Sequence, residues 1–553
     1  MRPGGRSTPF LVLALGLALI AAACGGDGGG KKASGKFSVT IQTTAGNKRR
    51  ELTEQILQQQ LRTAGFDVKI KNVKVGDLFG DILPKGDYQV GLYAGSVTSF
   101  FPVGCNIFCS KNIPSKPKFT GNNWQRVNIP AVDPILERVE SSLDPAVGMQ
   151  SNKQADPILA DANVALPLDP LPNILLWSKK ITGPVQDNPI QGPFWNLEQW
   201  TLNNASGGTA TFSAEEEPDC TDWIGSCSGS LWGSYIFNIT TVPHAYTVVK
   251  KGASWGYQPT SLLQGEATLV TTPKQVVTYR INPQAKWSDG QKITSHDFKY
   301  VWDQIVHGND IYDTTGYADI ESVDDSNPAQ AVATFSKPYA DWKSLFGPSY
   351  GLYPAHLLEG KDRNKETANG YTWSGGPWKI ESWEKGNQAT LVPNTNYWGP
   401  KPKLGKVVFK FIPDSSAEFQ AFKSDQVQLI YPQPQPDAID QIKAGIPNAN
   451  AVYTADTGNL EALWFNNGAA PFNDARVRQA FGYAIDRPAI VDRLFGALGV
   501  KTPINTINPP ILNDYADPNA WAKYTLDLNK VNALMTAAGW TKGSDGIWAK
   551  KGG

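Results

Sequence analysis

The sequence predicts a mixed α/β protein, and residues 396–430 give the clearest evidence. A turn rich in proline and glycine leads into the β-branched and aromatic run Val407–Phe411, which is typical of a strand. Pro413 ends that strand, and Asp414 or Ser415 can cap the helix that follows. Strand-like alternation then returns at residues 427–431. A strand, a helix and a strand within about forty residues favour parallel pairing in one sheet.

Residues 36–93 show the same alternation of strands and helices. Phe37, Val39 and Ile41 alternate with polar residues, as in a half-buried strand. Residues 50–64 place leucine, isoleucine and alanine on one helical face, and Gly65 follows as the expected C-terminal stop. Strands at residues 68–70 and 88–93 complete a βαβαβ-like run.

Composition excludes several classes of function. At roughly 100–200 residues per domain, 553 residues make about three or four domain-sized units. Lysine plus arginine and aspartate plus glutamate are both 51, so no net charge steers the protein towards nucleic acid. The 18 tryptophans and 19 tyrosines suit ligand recognition, although aromatic residues are more often core.

The N-terminus has the pattern of an export signal. Arg2 and Arg6 precede an apolar run over residues 10–20, and three alanines precede Cys24. This pattern resembles a bacterial lipoprotein signal peptide over residues 1–24, with Cys24 as the lipidated residue. Residues 25–35 then form a flexible Gly/Lys tether. We expect the protein to be anchored to the outer face of the cell membrane.

Four further cysteines form two short-range pairs in the sequence. An exported protein with Cys105 near Cys109, and Cys220 near Cys227, is expected to form disulfides that close small loops. A metal site is the alternative. The four histidines have no ligand spacing to these cysteines, which makes that alternative the weaker one.

No catalytic constellation is recognisable. Gly252–Gly256 fits G-x-S-x-G, but the sequence behind it is a poor helix start, whereas the nucleophile elbow needs a helix there. Ser115–Lys118 fits S-x-x-K without the partner motifs. We therefore expect no enzyme, no cofactor and no metal.

Four blocks of the sequence resemble the family 5 extracellular solute-binding proteins, the oligopeptide, dipeptide and nickel class of ABC importers. They are YRINPQAKWSDGQKITSHDF at 279–298, GGPWKI at 375–380, the stretch at 396–430, and WFNNGAAPFNDARVRQAFGYAIDRPAIVDRLF at 464–495. The resemblance implies a two-lobed periplasmic-binding-protein-like fold (type II, cluster C-like) with mixed sheets and a hinge. It also implies a monomer that captures a small solute, peptide or peptide-like, and delivers it to the importer's membrane subunits. An exported hydrolase and a ligand sensor on the same fold stay open as alternatives.

The order of the blocks differs from the family's order. Residues 36–200 resemble the family's C-terminal third, and the segment from Gly208 resembles its mature start. The chain is therefore interpreted as a circular permutation, with a fusion of two fragments as the rival explanation. On this template lobe II comprises residues 36–172 and 413–553, and lobe I comprises residues 173–412.

The resemblance also implies where a ligand binds. Trp464 and Asn466 are the first candidates, then Tyr93 and the loop that contains Thr98. Three weaker candidates are Tyr350, Tyr353 and Trp373, and the hinge is expected at Phe411, Pro413 and Asp414. Peptide-binding members commonly carry a tryptophan and an aspartate at the segment matching residues 94–102, where the aspartate pairs with the peptide's amino group. Here that segment reads AGSVTSFFP and has neither residue.

Overall fold

Buried hydrophobic side chains form two cores. The structure is a computed structural model that describes residues 35–550 except residues 98–99, 103, 118, 120, 185–187, 229, 253 and 455–456. The first core includes Val39, Leu92 and Phe465, which lie on a five-stranded sheet. The second includes Phe212, Phe409 and Leu391, which lie on a seven-stranded sheet. The first core also includes Ile174, Phe419 and Ile430, which lie on or beside the seven-stranded sheet, so it extends across both sheets.

The five-stranded sheet is mixed. Its spatial order is Asp67–Val73, Ser38–Thr44, Val90–Ser96, Asn459–Phe465 and Ala165–Pro170. The first three strands are parallel, and Asn459–Phe465 runs antiparallel to both of its neighbours. As predicted, Phe37, Val39 and Ile41 are buried, and the helix Lys48–Ala64 ends at Gly65 in the left-handed region. Because Asn459–Phe465 alone runs in the opposite direction, the carboxyl ends of the other four strands lie at one edge of this sheet.

The seven-stranded sheet contains the stretch that predicted the fold class. Its order is Trp378–Glu384, Gln388–Pro393, Lys406–Phe411, Thr209–Ala214, Leu429–Ile430, Asn173–Ser178 and Ala449–Thr454. The predicted parallel arrangement is confirmed, with Thr209–Ala214 inserted between the two strands. Asp414 caps the helix Ser415–Lys423 through a hydrogen bond from the amide of Ala417, at 2.8 Å.

A four-stranded antiparallel sheet extends the second core. Its order is Thr268–Val270, Val276–Arg280, Gln330–Phe335 and Ile320–Asn327. The helix Ser295–His307 packs on it. A capping box begins this helix, since the Thr294 amide donates to the Asp297 carboxylate at 2.8 Å.

The remaining longer helices lie on the outer faces of the sheets or between them. They are Asp133–Ser141, Pro145–Asp161, Pro436–Lys443, Ala475–Tyr483, Arg487–Phe495 and Leu528–Ala537. Within the described ranges, we find no helix with the length and apolar character needed to cross a bilayer.

The chain passes between the two large sheets at places that differ in part from the prediction. It leaves the five-stranded sheet at Pro170 and joins the seven-stranded sheet at Asn173, on either side of the boundary expected at residue 172. After the exit expected at residue 412, the strands Leu429–Ile430 and Ala449–Thr454 still belong to the seven-stranded sheet, whereas Phe419 and Ile439 pack in the first core. The chain returns between Thr454 and Asn459. Below, residues 173–454 are called lobe I, and residues 35–170 with 459–550 are called lobe II.

The two ends of the described chain meet in lobe II. Gly35–Lys36 pairs antiparallel with Trp548–Lys550, which pairs in turn with Thr541–Lys542. The Phe37 amide donates to the Trp548 carbonyl at 2.7 Å. The first and last described strands therefore lie side by side.

Candidate functional site: the cleft between the lobes

The carboxyl ends of strands in both large sheets lie at the cleft. Residues after Thr44 and Ser96 leave lobe II at this edge, and residues after Ala214 and Phe411 leave lobe I at its counterpart. The two connections between the sheets join the same edges. Ligands of open α/β sheets bind at carboxyl ends of strands, so this is the place where the fold builds a site.

The two connections between the lobes are tied to each other. The Thr457 hydroxyl donates to the Leu171 carbonyl at 2.7 Å, and the Leu171 amide donates to the Asn459 carbonyl at 3.3 Å. Pro170 and Pro172 flank Leu171 and restrict its backbone. This paired crossing has the form of a hinge in which both connections move together.

The predicted hinge residues lie beside the cleft but outside this crossing. Phe411 ends a strand of lobe I, and its amide donates to the Asn387 carbonyl at 2.9 Å. Pro413 and Asp414 then start the next helix of the same lobe. Their role in closure is not supported by the path of the chain.

Tyr93 and Trp464 form one aromatic pair beneath the cleft edge of lobe II. Their rings stack at 5.4 Å between centroids, and the Trp464 indole donates to the Tyr93 carbonyl at 2.9 Å. The Tyr93 hydroxyl accepts from Gln125 at 3.0 Å. Both side chains are less than 5% exposed, and burial raises the pKa of Tyr93 well above its usual range. In this state both rings belong to the core.

Asn466 holds two segments of lobe II together. Its side-chain amide donates to the main-chain carbonyls of Gly86, at 3.0 Å, and Tyr88, at 2.9 Å. Its side-chain oxygen accepts from the Gly468 amide at 3.1 Å. These hydrogen bonds engage the whole amide inside the protein.

The candidates in lobe I are also largely buried. Tyr353 donates to Asp222 at 3.1 Å and accepts from the Trp223 amide at 2.6 Å. Trp373 stacks on Tyr371 at 4.0 Å between ring centroids. Tyr350 keeps part of its surface in solvent and packs against Tyr317. Thr98 lies outside the described residues. Contact of these residues with a ligand stays a prediction.

A buried set of charged residues at the cleft edge of lobe II is absent from the sequence-based predictions. Arg49 and Glu461 are both fully buried and form an ion pair at 2.5 Å. Arg50 donates to both Glu461 oxygens at 3.2 Å and to Thr44 at 2.9 Å. Asp169 lies beside this set, one residue before the hinge, and burial raises its pKa to about 8 despite the nearby Arg49. These charged residues join the first turn of the helix Lys48–Ala64 to Asn459–Phe465 and Ala165–Pro170, the two strands of lobe II that adjoin the hinge.

Acidic residues form the opposing edge of lobe I. Glu215 and Glu216 follow the strand Thr209–Ala214 directly. Glu215 accepts from the Gln433 side chain at 2.5 Å and from its amide at 3.2 Å, and burial raises its pKa to about 7. Burial also raises the pKa of Glu216, and Arg50 of lobe II opposes that shift. Charged residues of opposite sign thus face each other across the cleft.

A sequence pattern marks the positions of these charged residues. Two arginines at residues 49–50 follow a strand and a turn, and three glutamates at residues 215–217 follow another strand. Charged residues immediately after buried strands indicate the carboxyl edge of a sheet. No local pattern indicated that the two edges face each other.

The predicted short-range disulfides are present. Cys105 pairs with Cys109, and Cys220 pairs with Cys227. In the described part of the chain, no group of three histidine, cysteine, aspartate or glutamate side chains is arranged to hold a metal ion.

The comparison with protein families decides the identity of this fold. A family model described as bacterial extracellular solute-binding proteins, family 5 middle, matches residues 263–550. The chain belongs to this family. Its members are binding proteins of ABC transporters rather than enzymes.

Curated relatives of the chain carry binding-protein names. A probable monoacyl phosphatidylinositol tetramannoside-binding protein, LpqW of Mycobacterium tuberculosis, is 29% identical over 257 residues, which cover 45% of this chain and 38% of LpqW. A putative ABC transporter peptide-binding protein of Brucella ovis is 28% identical over 269 residues, covering 47% and 48%. The periplasmic oligopeptide-binding protein OppA of Salmonella typhimurium is 28% identical over 242 residues, covering 40% and 44%. The chain spans less than half the length of each of these relatives.

Solved structures share the two-lobed fold. The periplasmic EDTA-binding protein EppA matches with a TM-score of 0.51 and 24% identity, over 63% of this chain and 68% of EppA. The oligopeptide-binding protein AppA of Bacillus subtilis, in complex with a nonapeptide, matches with a TM-score of 0.50 and 18% identity, over the same shares of the two chains. At these identities the likeness concerns the fold alone.

Proposed function

We propose that this protein captures a small solute, peptide or peptide-like, between its two lobes and delivers it to an ABC importer. The observation that carries the proposal is the paired crossing at Leu171 and Thr457, which joins the strand ends of both large sheets. A ligand held between such edges contacts both lobes, so its binding free energy drives closure. Membership of family 5 supports the same role.

We further propose that the protein is anchored by a lipid on Cys24. The support is the sequence pattern of residues 1–24, which lie outside the described residues, as does most of the tether up to residue 34. Mass spectrometry of the N-terminal peptide from membranes of the source cells tests this proposal. A diacylglyceryl group on Cys24 is the expected result, and an unmodified Met1 or Cys24 would contradict it.

A comparison of free and N-acetylated peptides tests whether the protein recognises a ligand's amino group. Residues 94–102 lack an aspartate that would pair with a peptide's amino group. Thermal shift assays should therefore compare free peptides with the same peptides acetylated at the N-terminus. Equal stabilisation by both forms is expected, because acetylation then removes no ion pair and leaves the affinity, which sets the stabilisation at a given ligand concentration, unchanged. No shift with any peptide or solute in a broad library would contradict the binding role.

We also propose that the chain is a circular permutation of the family order. The pairing of Gly35–Lys36 with Trp548–Lys550 supports this order, because the two ends lie where a short turn could join them. The family model matches up to residue 550, which lies in the same small sheet.

A further inference from the structure

Besides the hinge connections, the contacts that join the lobes include two hydrogen bonds and one pair of aromatic rings. The Asn106 side chain of lobe II donates to the Asp313 carboxylate of lobe I at 3.2 Å. The Ala340 amide of lobe I donates to the main-chain carbonyl of Glu140 in lobe II at 2.7 Å. The rings of Phe100 and Tyr257 meet edge to face at 5.7 Å. The lobes are therefore in contact at places other than the hinge.

Asn106 connects one carboxylate from each lobe. Its main-chain amide donates to the Glu140 side chain at 3.2 Å, while its side-chain amide reaches Asp313. It is held in this position by the helical turn Gly104–Phe108, which the disulfide between Cys105 and Cys109 closes. Asp313 is oriented by Thr315, which donates through both its amide and its hydroxyl. The result is a carboxylate, amide and carboxylate series across the interface.

Charged neighbours from both lobes surround this series. Lys111 of lobe II and Lys337 of lobe I favour ionised Glu140, and Asp319 of lobe I opposes it. Loss of water outweighs both lysines, so the pKa of Glu140 rises to about 7. Burial raises the pKa of Asp313 as well, and that of Asp319. The tyrosines whose ring hydroxyls lie near these carboxylates are Tyr312, Tyr339 and Tyr350.

We propose that Glu140, Asn106 and Asp313 form a proton-sensitive latch that holds the lobes together at mildly acidic pH and releases them as pH rises. Closure brings Ala340, Asp319 and Lys337 of lobe I against Glu140, and this removes water from its carboxylate. Opening returns water to the carboxylate and separates it from Asp319. An ionised Glu140 therefore favours the open form, and a protonated Glu140 favours the closed form.

The sign and size of the effect follow from linkage. The closed form binds the proton more tightly, so the closed population falls as pH rises from about 4.5, the ordinary pKa of a glutamate, through about 7. Between pH 5 and pH 8 such a difference changes the closed-to-open ratio by at most about 70-fold. Ionised Asp313 adds to the same trend, because burial raises its pKa in the same direction.

The test measures the distance between the lobes without ligand. Spin labels on non-natural amino acids at the exposed positions Lys292 of lobe I and Lys501 of lobe II avoid the disulfide cysteines. In the wild-type chain, pulsed electron paramagnetic resonance should show a short distance between the two labels at pH 5 and a longer one at pH 8. Glu140→Gln should keep the short distance at both pH values.

Glu137→Gln is the matched control. Glu137 lies one turn before Glu140 on the same helix, forms an ion pair with Lys111 on the surface, and has a lowered pKa. This variant should keep the wild-type pH response. A wild-type distance that does not change with pH, or a Glu140→Gln variant that still responds like wild type, would overturn the latch. Asp313→Asn gives a second test, with a response weaker than wild type expected and an unchanged response counting against the proposal.

The latch rests on the proposed function only in regarding closure as the motion that captures solute. Because the distances are measured without ligand, a failed latch leaves solute binding untouched. Conversely, a protein that binds no solute could still open and close with pH.

Discussion

Asn466 shows how a residue expected at the ligand can act within the core. Its amide donates to the carbonyls of Gly86 and Tyr88 and accepts from Gly468, so its hydrogen bonds join the residues before one strand to those after its neighbour. Asn466 follows the carboxyl end of Asn459–Phe465, which runs antiparallel to Val90–Ser96, so it lies at the sheet edge opposite the cleft. Its orientation towards the core depends on residues 380 positions away in the sequence, which no local pattern reveals.

Asn466→Ala should lower the free energy of unfolding by about 1–3 kcal/mol, because it leaves two buried carbonyls without donors. Urea denaturation measures this change. Asn473→Ala, at an exposed asparagine seven residues later, is the control and should stay within about 0.5 kcal/mol of wild type. An Asn466→Ala variant as stable as its control would contradict this structural role of the amide.

The buried carboxylate of Asp169 leads us to expect that the stability of the protein depends on pH. Its carboxylate is fully buried, and its pKa is raised to about 8 in the folded chain, against about 4 in an unfolded one. A raised pKa in an acid means that stability is greatest at low pH and is lost as pH rises through 8. Asp169→Asn should remove this loss, so that the variant gains at least about 1 kcal/mol on wild type between pH 5 and pH 8.

The measurement for Asp169 is the midpoint of thermal unfolding at a series of pH values. Asp67→Asn, on the edge strand of the same sheet, serves as the control and should follow the wild-type curve. Parallel curves for wild type and Asp169→Asn would show that Asp169 is ionised in the folded protein.

At the scale of elements, the hinge is a close approach of three backbone segments. A side chain added at Gly458 would lie 2.8 Å from the Pro189 carbonyl and 3.3 Å from Val97, so the backbone would have to move. Gly458 also accepts a hydrogen bond from the Val97 amide at 2.9 Å. Glycine at this position lets the connection pass between the lobes.

Gly458→Ala should destabilise the protein by about 1–3 kcal/mol through this collision and should alter closure. Gly80→Ala is the control, because a side chain there meets no atom within 4 Å. Hydrogen exchange at residues 459–465 measures the local effect. Equal exchange in both variants would contradict the placement of the hinge.

Much of the element structure was predictable from local patterns, and the path between lobes was not. The strand Lys406–Phe411, the Asp414 cap and the hairpin of Trp378–Glu384 with Gln388–Pro393 all follow from periodicity and turn residues. Residue 412 is not where the sheet of lobe I ends, because a proline and a capping residue end a strand equally well within one lobe. Only the pairing of Leu429–Ile430 and Ala449–Thr454 shows that the sheet continues.

At the scale of the whole molecule, the circular permutation makes a prediction about chain order. A variant that joins Lys550 to Gly35 through a short turn, and opens between Gly207 and Gly208, restores the family order. It should fold with a thermal midpoint within a few degrees of wild type, because new ends at exposed turns are tolerated. A control opened between Gln58 and Gln59, inside the helix Lys48–Ala64, should fail to fold. Loss of folding in the first variant, with the joining turn varied in length, would contradict the permutation.

The central claim is that this molecule holds a small solute between its lobes. Native mass spectrometry of protein purified from its source cells tests it most directly. The expected result is a mass increment from a retained small molecule that disappears on denaturation, since a ligand buried by both lobes dissociates only when they open. Protein that consistently shows the bare polypeptide mass, and that gains none when incubated with peptide and solute libraries, would contradict the account.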